Sequence, residues 1–417
     1  MLAPDQALAD LLGQPPLARL LAVLNGEGEE TRIVGGAVRN TLFGRPASEV
    51  DLATTALPEE VIRRASGAGF RSVPTGIDHG TVTVLVDGQP FEVTTLREDV
   101  ETDGRRAVVR FGRSFEADAL RRDFSINAMS LSADGTLYDY CGGVADLAAR
   151  RIRFIGEART RIREDYLRIL RFFRFHAEYG EGDPDAEGLS AAIAERAGLA
   201  ILSFERIRAE LLKLLVSRRA VEVVGVITDA GLLGLLLAGV VERGRLARVA
   251  SFEAQEGEMP DAARRLAALA VWSIEDAERL KDRLRLSNEE HARLDAYARL
   301  QTVLRSEAEP IDAVGIRRLS AEHGPDRVTD VLAAIAGEPM PRLAPDVLNT
   351  LRKFRTGELP VPVFPLRGAD LVAHGVPKGP RVGQLLALAR RAWLDEGCPT
   401  DAGVARRLLH QALGMAH

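Results

Sequence analysis

Gly35 and Gly36 close the apolar run Ile33-Val34, and Arg39 follows on the first turn of the helix they open. Backbone N–H groups, the positive end of a helix dipole and a guanidinium would converge there on one anion, as a bound triphosphate requires. On the next extended run, Glu49 and Asp51 stand one residue apart, so both carboxylates face the same way. Two hard oxygen ligands suit Mg²⁺, whose octahedron phosphate oxygens and water would complete. Alone, Glu-x-Asp reads more readily as a solvated edge strand; the glycine-arginine segment before it reverses that preference. Glu92, in Phe91–Thr95, is a third carboxylate on a hairpin strand that could pair beside the first two. Its pattern fits an outward-facing strand residue equally well. An anion cradle facing metal-binding carboxylates is the equipment of nucleotidyl transfer.

Two further clusters could hold the rest of a nucleotide. Arg121, Arg122, Asp123 and Asn127 offer donors and acceptors for a ribose and phosphates, although alone they would read as a surface charge cluster. Asp165 and Arg168, three apart on a helix, share a face and follow Glu164. One acceptor and one two-pronged donor can bond the Watson–Crick edge of cytosine or adenine, whereas uracil and guanine present donor and acceptor reversed. A simple helix salt bridge is the bland alternative. Nine arginines against three acids between Arg150 and Arg174 could track a phosphate backbone, with Arg171 and Arg174 as RNA contacts, or form a solvated face. Phe172, Phe173 and Phe175 read as core.

The elements that must position these groups change character along the chain. Strands are expected at Thr31–Val34 and Glu49–Ala53, helices at Ala37–Phe43 and Leu57–Ala68, and a hairpin of Thr81–Val86 and Pro90–Thr95 around Asp87-Gly88. Arg97 to Arg113, charged and poor in apolar anchors, reads as a mobile loop. From Arg161 onward the apolar spacing is helical, with proline-containing joints near Glu338–Leu343 and Leu359–Pro365. The fold class is therefore α+β: a mixed sheet with helices, then an all-helical remainder. The formal charge of −5 excludes bulk positive charge as a means of holding nucleic acid, so any such partner needs a local basic surface. Two distant cysteines, Cys141 and Cys398, match no metal spacing and fit a reduced, cytoplasmic setting. No signal peptide or spanning segment is evident; the apolar run from Gly231 to Val241 is too short. His79 and Cys141 read as structural.

Together these segments resemble the bacterial-type (class II) tRNA nucleotidyltransferase and poly(A) polymerase family. The resemblance runs through GGAVR, EVDLATT, HGTVTV, FEVTTLR, RRDFSINAM, DYCGG, EDYLRILR and FERI in order, with a weaker echo at Gly368–Leu371 and Gly375–Gly383. It implies a polymerase-β-like nucleotidyltransferase head at 1–155, a neck at 156–218, a helical body at 219–340 and a tRNA-binding tail at 341–417. It also implies addition of C, C and A to tRNA 3′ ends from CTP and ATP, with two Mg²⁺ ions and no nucleic-acid template. Glu49 and Asp51 then match the metal ligands and Glu92 the third acidic position, with Asp51 or Glu92 assisting deprotonation. Gly35, Gly36 and Arg39 match triphosphate-binding positions. Arg121, Arg122, Asp123 and Asn127 match the ribose and phosphate motif, and Glu164, Asp165 and Arg168 the protein template for the base. Two residues depart from the pattern: Glu49 and Asn40 stand where the family usually has Asp. The segment 97–113 would be the lever that separates full CCA addition from CC-only enzymes. Poly(A) polymerase, A-only addition and a non-catalytic tRNA-binding paralogue are the rival functions.

Overall fold

The computed structural model describes residues 4–47, 49–77, 80–103, 106–307 and 309–414, with main chain alone at 4, 98–103 and 106–110. His79 lies outside the described residues. The chain forms two compact units, 1–223 and 224–417, and the boundary falls inside the helix Ala220–Asp229.

Two helices, α1 (Pro4–Leu12) and α2 (Pro15–Leu24), precede the first strand. Then come β1 (Thr31–Val34), α3 (Gly36–Leu42), β2 (Asp51–Thr54), α4 (Pro58–Gly67), β3 (Arg71–Gly76), β4 (Thr81–Val86), β5 (Gln89–Thr95), β6 (Arg97–Asp103) and β7 (Arg106–Phe111). The unit continues through α5 (Phe115–Leu120), β8 (Ser130–Ser132), β9 (Leu137–Tyr138), α6 (Gly143–Ala148), α7 (Ala158–Glu164), α8 (Leu167–Tyr179), α9 (Ala186–Ala194) and α10 (Phe204–Leu215). Seven strands make one mixed sheet in the order β3-β4-β5-β2-β1-β8-β9. Only β2 and β5 run parallel, and that one crossover sets Asp51 opposite Glu92.

The β4–β5 hairpin forms where Asp87-Gly88 calls for it: both residues take positive φ, 52° and 81°. Val82, Val84 and Val86 alternate inward against Phe91 and Val93. Two expectations need correction. Residues 97–103 and 106–111 are not a loop but the antiparallel β6–β7 ribbon, in which pairing between the arms satisfies the backbone groups. Glu49 precedes β2, which begins at Asp51, so the two carboxylates do not alternate along one strand.

Among the described residues, every regular element of the second unit is a helix. The apolar run after Ala220 breaks at Gly231 (φ 73°), and the following Leu232–Leu237 buries four leucines inside this unit. Residues 357–367 carry no regular helix, as the prolines there require. Leu366 at their end packs with Leu371, Leu385, Trp393 and Leu408 in one hydrophobic cluster. No single helix among the described residues is long and apolar enough to cross a membrane.

Candidate active site

The turn from β1 into α3 builds the anion cradle. Gly35 holds φ 65°, and a Cβ there would stand 2.9 Å from Nη1 of Arg122, so no other residue fits without displacing that guanidinium. Its own N–H is taken by the Met129 carbonyl (3.2 Å), which leaves the amides from Gly36 onward for a ligand. Arg39 is buried and heavily committed. It donates through Nη1 to Oδ1 of Asn127, through Nε and Nη2 to Oδ1 of Asn40 (3.2 and 3.0 Å), and through Nη2 to the Tyr179 hydroxyl (3.0 Å). A guanidinium has five N–H donors, so a single Nη1 hydrogen remains for a ligand. Burial lowers the pKa of Arg39, opposed by Tyr179.

Asp51 starts β2 in register with Glu92 on β5, so the two carboxylates leave the sheet on the same face. One side of Asp51 is open, yet the protein packed around it, then Glu92 and Glu49, push its carboxyl up, with Arg122 pulling the other way. Three negative groups crowding one edge make a place that a cation would relieve. Among the described residues no group of three or more His, Cys, Asp or Glu side chains converges tightly enough to cage a metal alone.

The arginine cluster depends on an acid that the sequence reading passed over. Asp118 of α5, buried, accepts from Arg121 and from Nε and Nη2 of Arg122 (3.1 and 2.9 Å). Asp123 accepts from Nε of Arg171 (2.7 Å), from Nδ2 of Asn127 (3.0 Å) and from its neighbour's N–H (2.9 Å). Its carboxylate is thus spent on orienting Arg171 and Asn127 rather than offered to a ribose. For both acids burial favours the neutral form, but their arginines outweigh it and hold the carboxyls below the usual range. A depressed folded-state pKa gives stability that is present above the unfolded value of 3.8 and lost as pH falls through the folded value. Asp118→Asn is therefore expected to cost about 2 kcal/mol at neutral pH. Thermal unfolding of both proteins should show that gap closing below about pH 4; a gap constant with pH would contradict the ion-pair account.

On the opposite side, Asp165 lies between α7 and α8 with extended backbone (φ −157°), not on a helix with Arg168 as expected. It accepts from the Leu167 N–H (3.1 Å) and from Nη2 of Arg206 on α10 (2.7 Å), and each oxygen keeps a second lone pair. Arg168 donates through Nη1 to Glu164 and to the Arg161 carbonyl (2.9 Å), leaving Nε and Nη2 without a protein partner among the described residues. Glu164 thus orients Arg168.

The arginine-rich stretch is less basic than its sequence suggests. Asp146 takes Arg151 and Arg153, Glu195 takes Arg159 and Arg163, and Glu210 takes Arg174 (2.5 Å). Those acids lie outside residues 150–174. Arg174 is turned over Phe175 (4.2 Å) and held there by Glu210.

Gly35, Gly36, Arg39, Asp51, Arg121, Arg122, Asp123, Asn127, Asp165, Arg168 and Arg171 line one cavity of about 460 Å³, with Phe175. Ten of the thirteen expected catalytic and nucleotide-binding residues meet there, together with Arg171. Glu49, Glu92 and Glu164 do not line it. Asp118, Tyr179 and Arg206 were missed. Asp118 sits three and four residues before the two arginines, an i, i+3/i+4 signal legible in the sequence.

This sheet, with an acid at the start of a strand beside a glycine turn and arginines, defines a nucleotidyltransferase head. Residues 31–153 match the family described as the Poly A polymerase head domain. The mitochondrial CCA tRNA nucleotidyltransferase 1 of Danio rerio is 38% identical over 375 residues, covering 87% of this chain and 83% of that protein. The CCA-adding enzyme of Geobacillus thermodenitrificans is 40% identical over 244 residues, 57% of this chain and 59% of that one. The crystal structure of the Bacillus stearothermophilus CCA-adding enzyme in complex with CTP superposes with a TM-score of 0.69 at 28% identity, over 100% of this chain and 99% of that one. The chain belongs to the CCA tRNA nucleotidyltransferase family.

Proposed function

We propose that this protein adds C, C and A to tRNA 3′ ends from CTP and ATP, releasing pyrophosphate. The observation that carries this reading is the single cavity in which an anion cradle, a metal-suited carboxylate and a base-reading pair meet. The amides from Gly36 and the cations of Arg39 and Arg122 would hold the triphosphate. Asp165 and Arg168 would hold the Watson–Crick edge, so the protein itself serves as the template. Asp51 with Glu92, and Glu49 beside them, would hold Mg²⁺, which when bound supplies Lewis-acid stabilisation of the phosphate charge and a more acidic 3′-hydroxyl. Asp123 and Asp118 keep the arginines aimed, so little reorganisation is needed as charge shifts to the leaving pyrophosphate.

The division into a head at 1–155, neck, body and tail is part of this proposal, as is the role of the β6–β7 ribbon as the lever between C and A addition. Two unpaired cysteines support a reducing compartment, and we place the protein in the cytoplasm. The test is incorporation of labelled CTP and ATP, with Mg²⁺, into tRNA transcripts ending before CCA, after the first C, and after CC. C, C and one A, with little UTP or GTP used, is the expected result. Long A tails would mean a poly(A) polymerase, A on the CC-ended transcript alone an A-adding enzyme, and tRNA binding without incorporation a non-catalytic paralogue.

A further inference from the structure

We propose that Tyr179, the last residue of α8, is a positioning residue for the guanidinium of Arg39 and acts together with Asn40. The proposal rests on Arg39 as a triphosphate ligand. The Tyr179 hydroxyl accepts from Nη2 of Arg39 (3.0 Å) and donates to Oδ1 of Asn40 (2.8 Å), the same oxygen that takes Nε and Nη2 of Arg39. The ring lies under the guanidinium, 4.4 Å from its carbon, and is itself fixed edge-on by Phe43 (5.1 Å) and stacked by Phe175 (5.9 Å).

The chemistry explains why a tyrosine is needed here. A carboxylate at position 40 would hold Arg39 by charge, whereas a neutral amide oxygen is a weaker acceptor for a guanidinium. With Asn40 in place, the hydroxyl supplies a second acceptor, and its proton fixes the amide with oxygen toward Arg39. Four of the five Arg39 donors are then pinned, which sets the direction of the fifth. Tyr179 closes the same helix that begins beside Arg168, so one rigid element sets both ends of the nucleotide.

The test compares native protein, Tyr179→Phe, Asn40→Asp and the double variant in steady-state CTP and ATP incorporation. Tripolyphosphate and cytidine serve as competitive inhibitors. Tyr179→Phe keeps the ring packing, and thermal unfolding checks its fold. Its KM for both nucleotides is expected to rise roughly five- to tenfold with kcat within about twofold. Tripolyphosphate inhibition should weaken by the same factor and cytidine inhibition should stay unchanged. Adding Asn40→Asp should return KM to within about twofold of native, because a carboxylate holds Arg39 without the hydroxyl. Asn40→Ala, which leaves Tyr179 untouched, should show the same triphosphate-specific loss. A native KM in Tyr179→Phe, a double variant no better than the single one, or an equal loss of cytidine affinity would overturn the proposal. A native protein that incorporates nothing would instead overturn the reading of the site on which it rests.

Discussion

Asp51→Ala is expected to lower the rate of CMP incorporation by on the order of a thousandfold while tRNA affinity stays within about twofold. Of the three acids at the sheet edge, only Asp51 lines the cavity with the glycine turn and Arg122. Its carboxyl is pushed up by burial and by Glu92 and Glu49, so the protein holds the acid where its charge is costly without a cation. Acids crowded together at the edge of a cavity are placed for chemistry rather than for the fold. Removing it relieves repulsion, so the variant should fold at least as well as the native protein. That separates lost catalysis from lost structure. Glu92→Gln should cost less, and Glu49→Ala least, since Glu49 lies before the strand and outside the cavity. Single-turnover incorporation alongside filter binding of tRNA measures both quantities. A Glu49 variant as impaired as Asp51→Ala would show that the ranking by cavity position is wrong.

Much of the head was legible because its signals are local. The β4–β5 hairpin follows from a two-residue turn and period-2 valines, and β1 through α3 follows from an apolar run meeting two glycines. What escaped depends on contacts between distant segments. The acids that neutralise the arginine-rich stretch, Asp146, Glu195 and Glu210, stand before and after it in sequence, and no window over that stretch contains them. Asp123 has the right type for a ribose contact, but its oxygens are occupied by Arg171 from α8, a commitment that only the packed helix shows. Arg174 is likewise committed, to Glu210 of α10. The i, i+3 spacing of Asp165 and Arg168 suggests one helix, but the chain leaves α7 at Asp165, and the extended residue turns its carboxylate to Arg206.

The site therefore has two layers. An outer layer of acids, with Asn40 and Tyr179, consumes most of the charge and hydrogen-bonding capacity of the arginines. What reaches the cavity is the remainder: the amides from Gly36, one N–H of Arg39, the uncommitted N–H groups of Arg122 and Arg168, the open lone pairs of Asp165 and the carboxylate of Asp51. With so few groups uncommitted, each has a large effect on selectivity, since an unmatched buried partner costs more than a matched one gains.

Base choice is where this is most exposed to measurement. Asp165→Asn is expected to reduce the preference for CTP over UTP by roughly ten- to a hundredfold, the range for a lost two-point readout. The open lone pairs of Asp165 can only accept, which matches the amines of cytosine and adenine and repels the carbonyl oxygens that uracil and guanine place there. Asparagine presents a donor as well, so O4 of uracil becomes an acceptable partner. The ion pair with Arg206 weakens at the same time, which should lower CTP use several-fold without removing it. Arg168→Ala should behave differently. Glu164 stays outside the cavity, the two-pronged donor disappears, and kcat/KM falls for CTP and ATP alike with little gain for UTP. The comparison is kcat/KM for CTP and UTP on a transcript lacking CCA, in native protein and both variants. An unchanged CTP/UTP ratio in Asp165→Asn would mean that base selection rests on residues other than this pair.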